Sequence, residues 1–306
     1  MLLLQLFADN LLPAFLAAGA GALLAAKGGV PVAPFSRAAF WVFSPCLLYT
    51  IVSREELRVG QLASMGAFVL ASLLSLALVA WLVARLLRWN RSMTAALVLV
   101  VMLPNAGNLG LAINLFAFGE EGLAQAGLFF VVSALLSFSA GALVVALGKT
   151  GWAASLKGML GVPAIWAAAL AFVLVAAGLR LPLPVSRAVT LLGDASIPIF
   201  LLVLGMQLVR VNWRAKRGPV LLATGLRLVA SAAIAFLFAG LMGLEGSARQ
   251  AAIFQASMPT AVITSILATE YDAESEFVSA TVFATTLLSP LTLTPLLYLL
   301  GARTGS

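Results

Sequence analysis

Apolar residues run through this chain in long blocks rather than in stripes. Ten blocks can be marked, covering roughly 5–26, 32–53, 60–86, 92–118, 122–148, 158–179, 185–209, 218–243, 248–269 and 274–300. A transmembrane helix needs about 20 such residues, so the pattern predicts ten membrane-crossing helices joined by short connections. Asp9, Asn10 and Pro13 interrupt the first block early. That block opens without basic residues or a convincing cleavage site, which reads as an uncleaved first helix rather than a signal peptide.

Two blocks break their own pattern from within. Inside 92–118 stands Pro104-Asn105-Ala106-Gly107-Asn108-Leu109-Gly110, with one proline, two asparagines and two glycines in seven residues. Inside 248–269 stands Met258-Pro259-Thr260. Proline removes a helical N–H and clashes with the preceding turn, and glycine adds slack. In hydrocarbon each freed backbone group costs several kcal/mol, roughly, unless protein or a water-filled cavity satisfies it. Broken helices at membrane depth are therefore expected only where they line something. Paired in corresponding halves, they point to the binding site of a secondary transporter.

The halves do correspond. Ser92 lies twelve residues before Pro104, and Ser247 twelve before Pro259; twelve helical residues rise about 18 Å, which puts both prolines near mid-membrane. Phe118-Gly119-Glu120-Glu121 is answered by Tyr271-Asp272-Ala273-Glu274, and Pro34-Phe35-Ser36-Arg37 by Pro184-Val185-Ser186-Arg187. A repeat of five spans, an odd number, places its copies in opposite orientations. The expected domains are a first five-helix repeat at 1–148, a short cytoplasmic linker at 149–157, and a second, inverted repeat at 158–306.

Composition agrees with the membrane reading and narrows the chemistry. The chain is 62% hydrophobic and 9% charged, against about a quarter charged in a soluble domain. Its net charge of +7 is scattered between apolar blocks, which argues for loop charges that orient helices rather than for nucleic acid. With the amino terminus outside, eleven Lys and Arg fall in inner loops and six in outer ones, so both termini are expected outside a cytoplasmic (inner) membrane. There is no histidine and a single cysteine, Cys46, which excludes an internal disulfide and a His- or Cys-type zinc site. No metal or cofactor is expected, and nothing resembles a nucleotide-binding loop.

The candidate solute-binding residues follow from the two breaks: Pro104, Asn105, Gly107, Asn108 and Gly110 from the first, Met258, Pro259, Thr260 and Thr264 from the second, and Ser44 beside Pro45 from the second span. The asparagines donate and accept, and equally can cap the half-helices; threonine hydroxyls equally bond back to their own helix. Gln207 and Gln255 are further candidates. The N–H-rich starts of the second half-helices favour an anion, but the carbonyl ends of the first halves meet there too, so the crossing by itself leaves the sign of the solute open. Asp194 and Arg227 both fall near mid-depth, where ionisable groups are paired or functional. They are expected to form a neutralising pair, or Asp194 to take up a proton; snorkelling of Arg227 is the alternative. Pro45 and Pro198 are expected to kink their helices. The glycine and alanine clusters Ala17–Gly21 and Ser137–Gly141 read as helix-packing faces.

Pro104-Asn105-Ala106-Gly107-Asn108-Leu109-Gly110-Leu111 resembles the fourth-helix motif of bacterial auxin efflux carrier transporters, which are related to plant PIN-type exporters. Met258-Pro259-Thr260-Ala261 with Ala268-Thr269-Glu270-Tyr271 is similar to that family's ninth helix, and Ser196-Ile197-Pro198 through Leu204-Gly205 to its seventh. The resemblance covers essentially the whole chain. It implies an all-α integral membrane protein of ten helices in two inverted five-helix repeats, with crossing fourth and ninth helices, built like the bile-acid symporters. It further implies a scaffold against a mobile crossover domain, elevator-type alternation, and contact of Pro104 and Asn105 with an anionic substrate; bacterial relatives are often described as malonate or other carboxylate permeases. Ala112 stands where many relatives carry a second proline, and the long central loop of the plant exporters is missing.

The expected function is thus a secondary transporter of a small organic anion, malonate- or auxin-like, working as a proton-coupled carrier or a uniporter and not as an enzyme. A sodium-coupled symporter of the bile-acid type is the alternative, with few acidic donors to support it. An intramembrane enzyme or a ligand sensor is a remote third reading. The lipid bilayer and the organic anion are the expected partners, nucleic acid is not, and a homodimer is compatible with this architecture.

Overall fold

The computed structural model describes residues 1–54, 59–146, 163–209, 217–270 and 273–303. Among them the secondary structure is helical apart from one isolated bridge. Among the described residues six helices are long and apolar enough to cross a membrane: Leu2–Ala26, Gly60–Leu86, Ala106–Ala134, Leu183–Leu208, Arg217–Leu241 and Ser275–Leu299. Between them lie residues 32–54, Arg91–Met102, Pro163–Ala176, Gly246–Ala256 and Ile263–Glu270, also helical. This is the build of a multi-pass membrane protein. The 149–157 linker and much of the boundary between the halves lie outside the described residues.

Both expected breaks are present. Arg91–Met102 starts on Asn90, whose side chain accepts from the Met93 amide at 2.8 Å, a standard N-cap. It ends where Leu103 turns extended (φ −93°, ψ 110°) ahead of Pro104. Chain direction is recovered by a wide turn, Ala106–Gly110, before helix resumes at Leu111. In the other half Gly246–Ala256 stops at Ser257, and helix resumes at Ile263. The next corner also falls where the pattern placed it: Gly119 adopts φ 73°, ψ −162°, open to glycine alone, and divides the following helix from the broken one.

The two prolines expected to kink act differently. Pro45 follows directly on the wide turn Ala39–Phe43, where the helical ladder has already slipped by one residue. Pro198 is the third residue of Ser196–Leu208, just past a break at Ala195; a helix start has no intrahelical use for that N–H, so the proline is tolerated there. Ser196 seals the break by donating to the carbonyls of Phe43 at 2.8 Å and Leu192 at 3.0 Å.

Packing sorts the helices into two groups. In one, Leu12–Ala26 packs on Ser196–Leu208, and Ser44–Arg54 packs on Pro163–Ala176 and Leu183–Asp194. In the other, the broken helices pack with Val59–Leu86, Ser231–Leu241, Ser275–Leu299 and the helix after Gly119. The first group closes through small residues: a Cβ on Gly21 would lie 2.0 Å from the Leu202 carbonyl, and one on Gly205 1.6 Å from that of Ala18. Ala17–Gly21 is therefore the packing face its composition implied; side chains at Ser137–Gly141 lie outside the described residues. Replacing Gly205 by Ala forces backbone apart and is predicted to destabilise by about 1–3 kcal/mol, seen as a lower Tm in detergent. Gly60→Ala, where a Cβ meets nothing, should not lower the Tm.

Candidate functional site

The two breaks lie against each other. Leu103–Asn105 and Pro259–Ala261 run antiparallel as a two-residue ladder: the Asn105 amide donates to the Pro259 carbonyl at 2.7 Å, and the Ala261 amide to Leu103 at 2.9 Å. This pairing satisfies groups that the prolines would otherwise strand in hydrocarbon.

The carbonyls that end the first half-helices have other partners. Val100 accepts from the Thr260 hydroxyl at 2.9 Å. Val101 accepts from Arg227 Nη1 at 2.6 Å, with Met102 at 3.5 Å from the same nitrogen. Arg227 Nε reaches the Met258 carbonyl at 2.8 Å, and Nη2 bonds that of Ala256. One guanidinium with five N–H donors thus caps the ends of both broken helices, and Arg227 is fully buried, 0% exposed. The charge pair between Asp194 and Arg227 is not formed, and neither is the snorkelling alternative. Arg227 is surrounded by carbonyls, whereas Asp194 ends the helix Leu183–Asp194 with its side chain exposed. The negative charge that balances Arg227 comes from helix ends rather than from a carboxylate.

The starts of the second half-helices face a cavity of about 360 Å³. Its walls come from both packing groups: Ser36–Ser44 and Phe200–Gln207 on one side, residues 104–108, Phe130, Ser133 and Ala261–Ile263 on the other. Among the described residues no protein acceptor takes the amides of Gly107, Asn108, Val262 or Ile263, all of which line the cavity. Asn105 is 4% exposed, and its Nδ2 is buried with no partner. Gln207, which touches Ser36 Oγ at 3.4 Å through Nε2, has its Oε1 buried and unpartnered. Arg37 stands exposed on the same wall, beside the edge-to-face pair Phe40 and Trp41 with ring centroids 5.5 Å apart.

Of the residues expected to contact a solute, Pro104, Asn105, Gly107, Asn108 and Ser44 line this cavity. Gly110, Met258, Pro259, Thr260 and Thr264 do not. Gly110 is bare so that Gln255 can lie across it; a Cβ there would meet Gln255 Oε1 at 2.0 Å, while Gln255 Nε2 holds the carbonyls of Ala106 and Ala126 at 3.2 Å. Met258 and Pro259 contribute carbonyls to Arg227 and Asn105. Thr260 is tied between Val100 and Thr285, and Thr264 bonds back to Ala261 at 2.6 Å. Arg37, Phe40, Trp41, Phe130 and Phe200 were not anticipated. Pro34-Phe35-Ser36-Arg37 was noted as a repeat marker, and only the fold brings that helix start to the crossing.

Residues 153–297 match the membrane transport protein family. An uncharacterized transporter of Methanocaldococcus jannaschii is 30% identical over 200 residues, 63% of this chain and 64% of that protein, so just under two thirds of the relative's length is spanned. An uncharacterized transporter of Methanothermobacter thermautotrophicus is 27% identical over 274 residues, covering 87% of this chain and 88% of the relative.

A hydrogen bond to a charged group contributes about 1.5–3 kcal/mol. Asn105→Ala is therefore predicted to weaken binding of a carboxylate, identified by thermal-shift screening of the purified protein, by at least about tenfold. Thr264→Val, outside the cavity, should leave that affinity within about twofold.

Proposed function

This chain belongs to the membrane transport protein family, that of the auxin efflux carriers, and from that premise we propose that it is a secondary transporter of a small organic anion, working across the cytoplasmic membrane. The observation that carries the reading is the unequal treatment of the four helix ends at the crossing. Each end bears about half an elementary charge, negative at the carbonyl end and positive at the amide end. Arg227 neutralises the two carbonyl ends. The two amide ends keep their charge and face the cavity, joined by the unpartnered Asn105 amide and by Arg37. Together they offer an anion about one unit of compensating charge before Arg37 is counted. Four aromatic rings around them, Phe40, Trp41, Phe130 and Phe200, suit an apolar body behind a carboxylate, and the Gln207 acceptor suits a donor at its far end.

The arrangement we propose is ten spans in two inverted repeats, 1–148 and 158–306 about the 149–157 linker. Support comes from the antiparallel bridge between the breaks and from the reciprocal packing of the first and second spans of each half on the other's. The helix group holding the crossing moves as a body against the group holding Ser36–Ser44 and Phe200–Gln207, an elevator whose cargo sits at the sliding boundary. With both termini outside, Arg37 and Gln207 lie toward the cytoplasm, and the cavity opens inward. The driving reaction is uniport or proton coupling, with Asp194 as the proton carrier.

In proteoliposomes, Arg37→Gln should reduce uptake of the identified carboxylate at least about tenfold, while uptake of its uncharged amide stays at background in both proteins. Uptake of the amide equal to that of the acid, or uptake of the matching ammonium compound, would overturn the anion reading. Asp194→Asn is expected to flatten the pH dependence of transport. A profile identical to the parent's removes Asp194 from coupling.

A further inference from the structure

Arg227 presents an arrangement that the proposed binding of an anion does not require in itself. A charged side chain inside a membrane protein is costly and calls for a specific partner. Here the partners are the carbonyls of Val101, Met102, Ala256 and Met258, drawn from the ends of two different helices. In carriers with interrupted helices, unwound carbonyls and half-helix carbonyl ends are the groups that hold a coupling cation, and rings of carbonyls replace an alkali ion's water. Two half-charges at these ends sum to about one negative unit, and one guanidinium balances them.

We infer that the Arg227 guanidinium fills a cation site made of backbone carbonyls from both broken helices, and that the site takes a small free cation when the side chain is removed. A cation built into the chain cannot be exchanged with solution. The crossing therefore closes without sodium, and the sodium-coupled alternative loses the place where its ion would bind. The inference about coupling rests on the transporter reading; the inference about the site does not.

The test uses purified protein in detergent without solute, in choline chloride, followed by thermal unfolding. Arg227→Ala should melt well below the parent, and millimolar guanidinium or sodium should restore at least half of the loss along a saturating curve, as expected for a ligand that binds only the folded state. The parent should respond to neither. A flat response of Arg227→Ala to both ions, or a parent stabilised by sodium over choline, would overturn the inference. Arg227→Lys and Arg227→Met cover the case in which the alanine variant does not fold. The lysine protein should be recovered folded and the methionine protein not, whereas equal recovery of the two would show that charge at this position is immaterial. Because no solute is present, failure here leaves the anion reading standing, and failure of that reading leaves this result standing.

Discussion

The structure depends on the need to satisfy main-chain polar groups where two helices stop inside an apolar slab. Lipid offers no hydrogen bonds, so every amide and carbonyl released at Pro104 and Pro259 must find protein or enclosed water. The carbonyl side is met in full at the first break: Leu99 by the Leu103 amide, Val100 by Thr260, Val101 and Met102 by Arg227, Leu103 by Ala261. The amide side is met only in part. That asymmetry leaves amides without protein partners at the cavity wall, and the proposed function rests on them.

The position of the site follows from how the helices pack. Tight Gly21 and Gly205 contacts hold one group together, while Gln255, Thr260 and Arg227 hold the crossing inside the other. The cavity lies between the two and takes walls from each. Polar side chains in the membrane interior thus have separate tasks. Those that bond to main chain stiffen the crossing, and among the buried atoms left without a partner, Asn105 Nδ2 and Gln207 Oε1 belong to residues that line the cavity.

Much of this was legible in the sequence because an interruption of an apolar run is a local signal. Pro104, Asn105, Gly107 and Asn108 stand out against their neighbours, and their half of the cavity follows from that contrast. The second break was read less well for a physical reason. Thr260 and Thr264 carry groups that can serve a solute or the backbone, and only the fold shows that Val100, Thr285 and Ala261 use them. Pairing Arg227 with Asp194 assumed that charge must be balanced by a side chain, when helix ends sufficed. Arg37 looked like an ordinary loop cation because its place on the cavity wall depends on which helix starts beside the crossing. Ala112, where many auxin efflux carriers have proline, lies in unbroken helix after Leu111, so the unwound stretch ends early.

Amide hydrogen exchange resolved to single residues tests the central claim most directly, because it reads the same backbone groups on which the claim stands. Asn105 and Ala261, bonded across the crossing, should exchange slowly with or without solute. Gly107, Asn108, Val262 and Ile263 should exchange fast in the empty protein and slow down when a carboxylate binds. If Asn105 and Ala261 exchange as fast as Gly107 and Asn108, or if a bound anion protects none of those four amides, the crossing is not the paired, half-open structure described above.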